Sequence, residues 1–395
     1  MTAFAAAAAG LVPELIAVRR ELHALAETGL QLPRTQAVLL RELQGYGLEV
    51  STGDGLSSVT AVLRGGRPGP VVLLRADMDA LPITEATGLD FAATDAAMHA
   101  CGHDLHMAGL LGAVRLLAAR RDELAGTVVF MFQPGEEGFA GARLMLEEGL
   151  LDAAGAAPVA AYALHVDTMT DAGTFVTRPG PMMASVSAAT VTVRGTGGHA
   201  AMPHQGVDPV PVAAELVLAV QTFGARRLPA TDPAVLSVTG IRSDSAAGNV
   251  LSETVTLVLN VRTFSATTRD RVRDELPALL SGIAGAHECT LDVDWVDSYP
   301  VTVNDPRETD LVLATLRAAH GDERVSVLAA PSPASEDFAY VLERVPGVLV
   351  FLGVAPAGRR APLHSDRAVF DDGQLGLHAA TLADLAWSRL HGRGA

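Results

Sequence analysis

The sequence predicts an α/β domain interrupted by a smaller, inserted α+β domain, and three observations carry that expectation. In the first half of the chain, short unbroken apolar runs (VVLLR, VVFMF, VAAYALH) alternate with stretches of helical period. That is the pattern of strands covered by helices on both faces. From about residue 185 the strands instead alternate apolar and polar residues, as in SAATVTVR and ETVTLVLNVR, which suits a sheet with one face in water. After Pro300 the first style returns with VLVFLG. The economical division makes 1–184 and 298–395 two parts of one domain, with 185–297 inserted between them. Three domains in a row would leave the last stretch a thin core of its own.

The elements follow in order. Residues 11–25 read as an amphipathic helix, with Leu11, Leu15, Val18 and Leu22 on one stripe and Arg19, Arg20 and Glu21 largely opposite. A turn at 29–33 leads to a second helix over 35–46, and strands follow over 58–64 and 70–75. Helices over 107–119 and 140–149 separate strands over 128–132 and 159–165. The inserted part reads strand 187–194, helix 209–223, strands 234–241 and 253–262, helix 268–283 and strand 288–299. A helix over 311–319 and a strand over 348–352 complete the first domain. There is no internal repeat, and no low-complexity tract beyond the alanine-rich start.

Composition narrows the function. A chain of 395 residues that is 49% hydrophobic can bury a large core. Its formal net charge of -16 argues against a nucleic-acid partner. No apolar run approaches membrane-spanning length without charge, Gly or Pro, and the N-terminus lacks the basic region of a signal peptide. Cys101 and Cys289 are too few and too far apart to be a disulfide framework, which fits a reducing compartment. The expectation is a cytoplasmic protein that binds neither nucleic acid nor membrane.

The chemistry concentrates in MHACGHDLHMAGLLG at 98–112, which sets out His99, Cys101, His103, Asp104 and His106 just before a helical apolar pattern. Four other stretches place polar groups after core strands: Asp77 and Asp79 in RADMDALP, Glu136 and Glu137 in FQPGEEG, His165 in AAYALH, and His364 in PLHS. Sites in open α/β sheets gather at the carboxyl ends of strands, so these can converge. Singly, each has a blander reading: an Asp that caps a turn, an exposed histidine, a small buried thiol. Together, thiolate, imidazole and carboxylate suit zinc and its neighbours, and they exceed one tetrahedral shell, which points to two metals. One of Glu136 and Glu137 would hold a metal while the other takes a proton from water, and Asp79 would orient a ligand. The rival reading, Cys101 as a nucleophile, leaves the glutamates and distant histidines without a task.

The motifs RADMDALP, HACGHDLHMAGLLGA, FQPGEEGFAGARLMLEEG, GTGGHAAMPHQGVDP, SEDFAY and PLHS run in order over nearly the whole chain. They resemble the M20 family of metallopeptidases, and within it the amidohydrolase branch of aminoacylase-like, hippurate hydrolase-like and indoleacetyl-amino-acid hydrolase-like enzymes. The resemblance implies a zinc-peptidase-like, mixed-sheet catalytic domain with an inserted α+β lid and dimerisation domain, hence a homodimer. It implies metal binding by Cys101, His103, Glu137, His165 and His364, with two divalent ions: zinc or manganese, or alternatively cobalt or nickel. Glu136 then matches the general base, and Asp79 belongs to the catalytic set as the residue orienting a ligand. His199 matches a lid histidine that stabilises the oxyanion, while Asn249 and Arg262 match positions that hold the substrate carboxylate.

The implied reaction is cleavage of an N-acyl amino acid, or a related small amide, to a carboxylic acid and an amino acid. A dipeptidase or small-peptide carboxypeptidase on the same two-metal site is the alternative, and it would need a polar pocket for a free amino terminus. A metal-dependent binding or scaffold protein would require loss of a ligand or of Glu136, and the sequence keeps them all. It departs from the family pattern after His165, where HVDTMTDAG places Asp167 and Thr168 in positions that commonly carry an aromatic residue and proline.

Overall fold

The computed structural model describes residues 4–392, so the outermost three residues of the expected 1–184 and 298–395 segments lie outside the described part. The chain divides into two compact units. One comprises Met1–Met182, Val303–Ala330 and Asp337–Ala395, and the other comprises Met183–Thr302 and Pro331–Glu336.

The larger unit is built on an eight-stranded mixed sheet. Its centre is four parallel neighbours: Ala125–Gln133, Arg67–Asp77, Ala160–Asp171 and Gly347–Ala355. Their apolar runs are buried on both faces, with Val72, Leu73, Leu74, Val128, Phe130, Val348 and Leu349 all fully enclosed. Antiparallel Val59–Arg64 and Glu49–Thr52 extend one side, and the other carries Phe175–Thr177 and Val325–Val327. Three of these border strands go beyond the sequence expectation, because Glu49–Thr52 is exposed throughout and the other two are three residues long. The central strand expected to stop at His165 runs on to Asp171.

Helices Ala5–Leu25, His103–Ala118 and Leu375–Leu390 pack together over this sheet. The last of these has no counterpart among the sequence-derived elements. It is buried on nearly every side, so no polar face gives its sequence a period to detect. It also approaches its neighbour very closely. A Cβ on Gly109 would sit 2.0 Å from His378 Nδ1, and one on Gly112 would sit 2.5 Å from the Ala379 Cβ. Glycine is what lets the two backbones come this near.

The smaller unit is a four-stranded antiparallel sheet in the order Ala234–Ser243, Thr254–Thr263, Ser185–Arg194, Thr290–Tyr299. Alternation decides its faces. Val191, Val193, Leu257, Leu259 and Val261 are buried with Leu216, Val220, Phe223, Leu276 and Leu280 from helices Pro209–Arg227 and Ala266–Ala286. Both helices start on side-chain caps: Asp208 accepts from Val210 N at 2.9 Å, and Ser265 from Thr268 N at 3.0 Å. The distant segment Pro331–Glu336 is stitched in by Ala184, whose N–H is shared between the carbonyls of Ser332 at 3.0 Å and Ala334 at 2.9 Å. Among the described residues no helix is long and apolar enough to cross a membrane.

Candidate metal centre

Three parallel strands and one tight turn deliver the polar groups of the larger unit. Strand Arg67–Asp77 runs out into Asp79, Ala125–Gln133 into the Glu136–Glu137 turn, and Ala160–Asp171 carries His165. The turn is Cys101–Gly102, with Gly102 at φ +83° immediately before helix His103–Ala118. A Cβ there would lie 2.4 Å from Val166 Cγ2, so only glycine admits both this backbone and this packing. His364 also stands in the left-handed region, at φ +64°, with its N–H donating to the Ala100 carbonyl at 3.0 Å.

Asp79 organises three of these groups. Its Oδ1 accepts from Glu136 N at 2.9 Å and its Oδ2 from Glu137 N at 3.0 Å. Its backbone carbonyl accepts from His103 Nδ1 at 2.7 Å. With Nδ1 donating to that carbonyl, the ring turns its Nε2 toward the cluster. That nitrogen is buried and has no hydrogen-bond partner among the described residues. Burial works to lower the pKa of His103, but Asp77 and its other neighbours hold it well above the usual histidine value. The same negative field that holds a proton on this ring favours a divalent cation in the proton's place at Nε2.

Around that nitrogen the other donors close in. Cys101 Sγ lies 3.6 Å from His165 Nε2 and 3.3 Å from His364 Nε2. Burial pushes the thiol pKa up, but the charge of His165 and the hydrogen bonds with His165 and His364 help outweigh it and bring it to about 6. Cys101 is thus set to be a thiolate near neutrality, the form that binds metal. His165 donates from Nδ1 to the Val166 carbonyl at 2.7 Å, which aims its Nε2 at Cys101 Sγ. His364 Nε2 lies 3.2 Å from Glu137 Oε1, and hydrogen bonds to Cys101 and Glu137 raise its pKa to about 10.

Among the groups whose ligand atoms lie within 4.8 Å of one another, several overlap: Cys101 with His103 and His165, Cys101 with Glu137 and His364, and His103 with Glu136 and Glu137. This mixed sulfur, nitrogen and oxygen set, with an unpartnered imidazole nitrogen at its centre, fits a divalent transition metal.

His106 and Asp104, also in the histidine-rich stretch, have other partners. His106 Nε2 accepts from Val166 N at 2.8 Å, so its proton sits on Nδ1 and is donated to Asp77 Oδ1 at 2.5 Å. Both nitrogens are committed, and burial brings its pKa down to about 3, so it stays a neutral strut. Asp104 faces inward, with Oδ2 2.8 Å from Arg19 Nε and 2.7 Å from His23 Nδ1. His99 is enclosed, and burial brings its pKa to about 3.

The smaller unit holds the other sequence-predicted residues. His199 is exposed on the two-residue strand Gly198–His199, which pairs with Val250–Leu251. Its Nδ1 accepts from Ala201 N at 3.1 Å, so its proton is on Nε2. Asn249 lies alongside, its carbonyl accepting from Ala200 N at 3.1 Å. Arg262 donates from Nε to Asn260 Oδ1 at 3.1 Å and from Nη1 to Ser335 Oγ at 3.0 Å.

Sequence reasoning missed Arg75, Gln133, Asp337, Arg19 and His23, all of them buried and polar. Arg75 carried a signal, as a charge closing the unbroken run VVLLR. Asp337 lay within the quoted SEDFAY, without a task.

The chain is similar to known proteins over most of its length. A model described as peptidase family M20/M25/M40 matches residues 73–388. The chain is 38% identical to the N-acetyl-L-cysteine deacetylase of Bacillus subtilis, over 87% of this chain and 81% of that protein. It is 34% identical to thermostable carboxypeptidase 1 of Saccharolobus solfataricus, over 94% of each chain. A solved Bacillus subtilis structure, described as a dinuclear metal-binding peptidase of the M20 family, superposes with a TM-score of 0.84 at 31% identity, over 97% of this chain and 99% of that one.

Proposed function

The chain belongs to peptidase family M20/M25/M40, and from that premise we propose that it is a two-metal amidohydrolase cleaving N-acyl amino acids, or related small amides, to a carboxylic acid and a free amino acid. The observation that carries the reading is the overlap of donor groups on Cys101 and His103, which supports a site whose ions share neighbours. Cys101, His103, Glu137, His165 and His364 would hold them. Two divalent ions, when bound, supply Lewis-acid polarisation of the amide carbonyl and acidify water. Zinc or manganese is the reading, with cobalt or nickel accommodated by the same donors, and the thiolate pulls toward the softer end.

The chain's own residues supply the rest. Glu136 is buried, and its backbone is anchored on Asp79. It takes the proton from the attacking water and passes it to the departing amine nitrogen. His199, with its proton on Nε2, donates to the carbonyl oxygen as that oxygen gains charge. Arg262 and Asn249 take the substrate's α-carboxylate, for which a guanidinium fork is well matched. The smaller unit serves as lid and as homodimer interface, and the enzyme works in the cytoplasm, in keeping with its two free cysteines.

The carboxypeptidase among the relatives favours a second reading, in which a dipeptide or small peptide is the substrate of the same machinery. Both are tested by chelating the enzyme, refilling it with single metals, and assaying N-acetyl, N-benzoyl and long-chain N-acyl amino acids beside free dipeptides, with Glu136→Gln as control. Metal-dependent cleavage of N-acyl amino acids that the variant loses supports the proposal. Cleavage of dipeptides alone transfers it to the second reading, and metal binding without any turnover sinks both.

A further inference from the structure

A buried hydrogen-bond chain runs beside the donor groups, and none of its members has a part in the chemistry above. It starts at Val166, whose N–H donates to His106 Nε2 at 2.8 Å. His106 Nδ1 donates to Asp77 Oδ1 at 2.5 Å, and Asp77 Oδ2 accepts from Arg75 Nη1 at 2.7 Å. Arg75 Nη2 donates to Asp337 Oδ1 at 3.2 Å, and its Nε donates to Gln133 Oε1 at 2.8 Å. Asp337 also accepts from Gln133 Nε2, at 2.7 and 2.8 Å to its two oxygens, and from Ala142 N at 2.9 Å. No side chain in the series is more than 2% exposed.

Each link lies one step from a donor. Val166 follows His165, and Asp77 Oδ2 is 3.4 Å from His103 Nε2. Gln133 ends the strand that turns into Glu136 and Glu137, and Ala142 is the second residue of the helix Gly141–Glu147 just beyond them. A buried ionic series of this kind is a poor source of stability, because desolvation offsets most of its attraction and apolar packing would serve as well. Its directional bonds do something apolar packing cannot: they fix the separations among the ends of two strands and the middle of a third.

We propose that His106 and Asp337 are positioning residues, the two ends of one buried chain through Asp77 and Arg75 that holds His165 and His103 at a set spacing from the Glu136–Glu137 turn. The inference rests on the metal-site reading above. It implies that the two ends act as one unit although they are joined only through intermediaries.

The test uses Asp337→Asn, His106→Asn and the double variant of the full chain. Asparagine at 337 keeps an acceptor for Ala142 N and removes the charge from Arg75. At 106 it keeps a donor toward Asp77 and strands Val166 N. Each protein is stripped, refilled with cobalt, and measured for ions bound per chain, visible cobalt absorption, kcat and KM. Both single variants should bind the wild-type number of ions with shifted cobalt bands and lose roughly 10–100-fold in kcat at a KM within about twofold of wild type. The double variant should be no slower than the slower single one. Independent structural contributions would instead multiply. Unshifted bands in both single variants, or a multiplicative loss in the double, overturns the inference. If one single variant does not fold, the cobalt bands of the other decide. If the wild type cleaves no amide in the panel, the functional reading fails while the cobalt bands still test the chain.

Discussion

Replacing Asp79 by asparagine should separate the two glutamates. The carboxylate accepts from Glu136 N and Glu137 N, one oxygen each. Asparagine keeps one acceptor and presents an NH2 to the other N–H, donor against donor. The bond to Glu136 N is buried and the bond to Glu137 N partly so. The remaining oxygen will therefore stay with Glu136, where no water can compensate, and the mismatch will fall on Glu137. Losing one hydrogen bond to a charged group costs about 1.5–3 kcal/mol, and a donor left half-satisfied adds up to about 1, so stability should fall by about 2–4 kcal/mol. Because Glu137 is the proposed ligand and Glu136 the proposed base, metal affinity should drop roughly 10–100-fold while kcat at saturating metal recovers much of its value. His103 keeps its anchor, which runs through the Asp79 backbone. The assay is urea unfolding beside a metal titration and kcat measured along it. Unchanged metal affinity, or a kcat that stays low at saturating metal while affinity is intact, would refute this division of labour.

Two further outcomes follow from packing and charge. Gly102→Ala forces a side chain into a left-handed backbone and toward Val166 Cγ2. The two penalties together should cost about 2–4 kcal/mol and lower Tm by several degrees, and an unchanged Tm would contradict the strain argument. His23 lies between Asp104 Oδ2 at 2.7 Å and Glu85 Oε2 at 3.1 Å. Burial works to lower its pKa, but the two carboxylates prevail and raise it. The protonated ring's contribution is therefore full below its unfolded value of about 6.5 and is lost as pH rises through its higher folded value. The stability gap between wild type and His23→Gln should shrink from about pH 6 upward. A gap that grows with pH would show that the ring is held neutral.

The central strands were legible because an apolar run covered on both faces leaves no ambiguity of face, and Val71–Leu74 and Val128–Phe132 are such runs. The helix Leu375–Leu390 was illegible for the opposite reason: it is buried nearly all round, so its sequence has no polar stripe. Glu49–Thr52 is hidden because a wholly exposed strand carries no apolar signal. At the candidate site, polar residues standing directly after apolar runs gave away Asp77, Asp79, Glu136 and Glu137. The division of the histidines was not readable. His103 and His106 are three residues apart on one helix, yet one turns a nitrogen without a hydrogen-bond partner to the cluster and the other spends both on Val166 and Asp77. Only partners distant in the chain decide which is which.

The six residues Pro331–Glu336 bear on the order in which the molecule is made. The sheet of the smaller unit is complete in sequence by Tyr299, but the carbonyls that receive Ala184 N and the hydroxyl that receives Arg262 Nη1 come more than thirty residues later. The larger unit waits as well, since Gly347–Ala355 is the neighbour of Ala160–Asp171 and the helix Leu375–Leu390 is last of all. On a ribosome adding about 5–20 residues per second, neither unit can close early and serve as a finished template for the other. Both are completed only after residue 330 has emerged. A fragment ending at Thr302 would carry the smaller unit's sheet and helices without its clasp, so a transplant of that unit into another scaffold has to bring two separate pieces of chain.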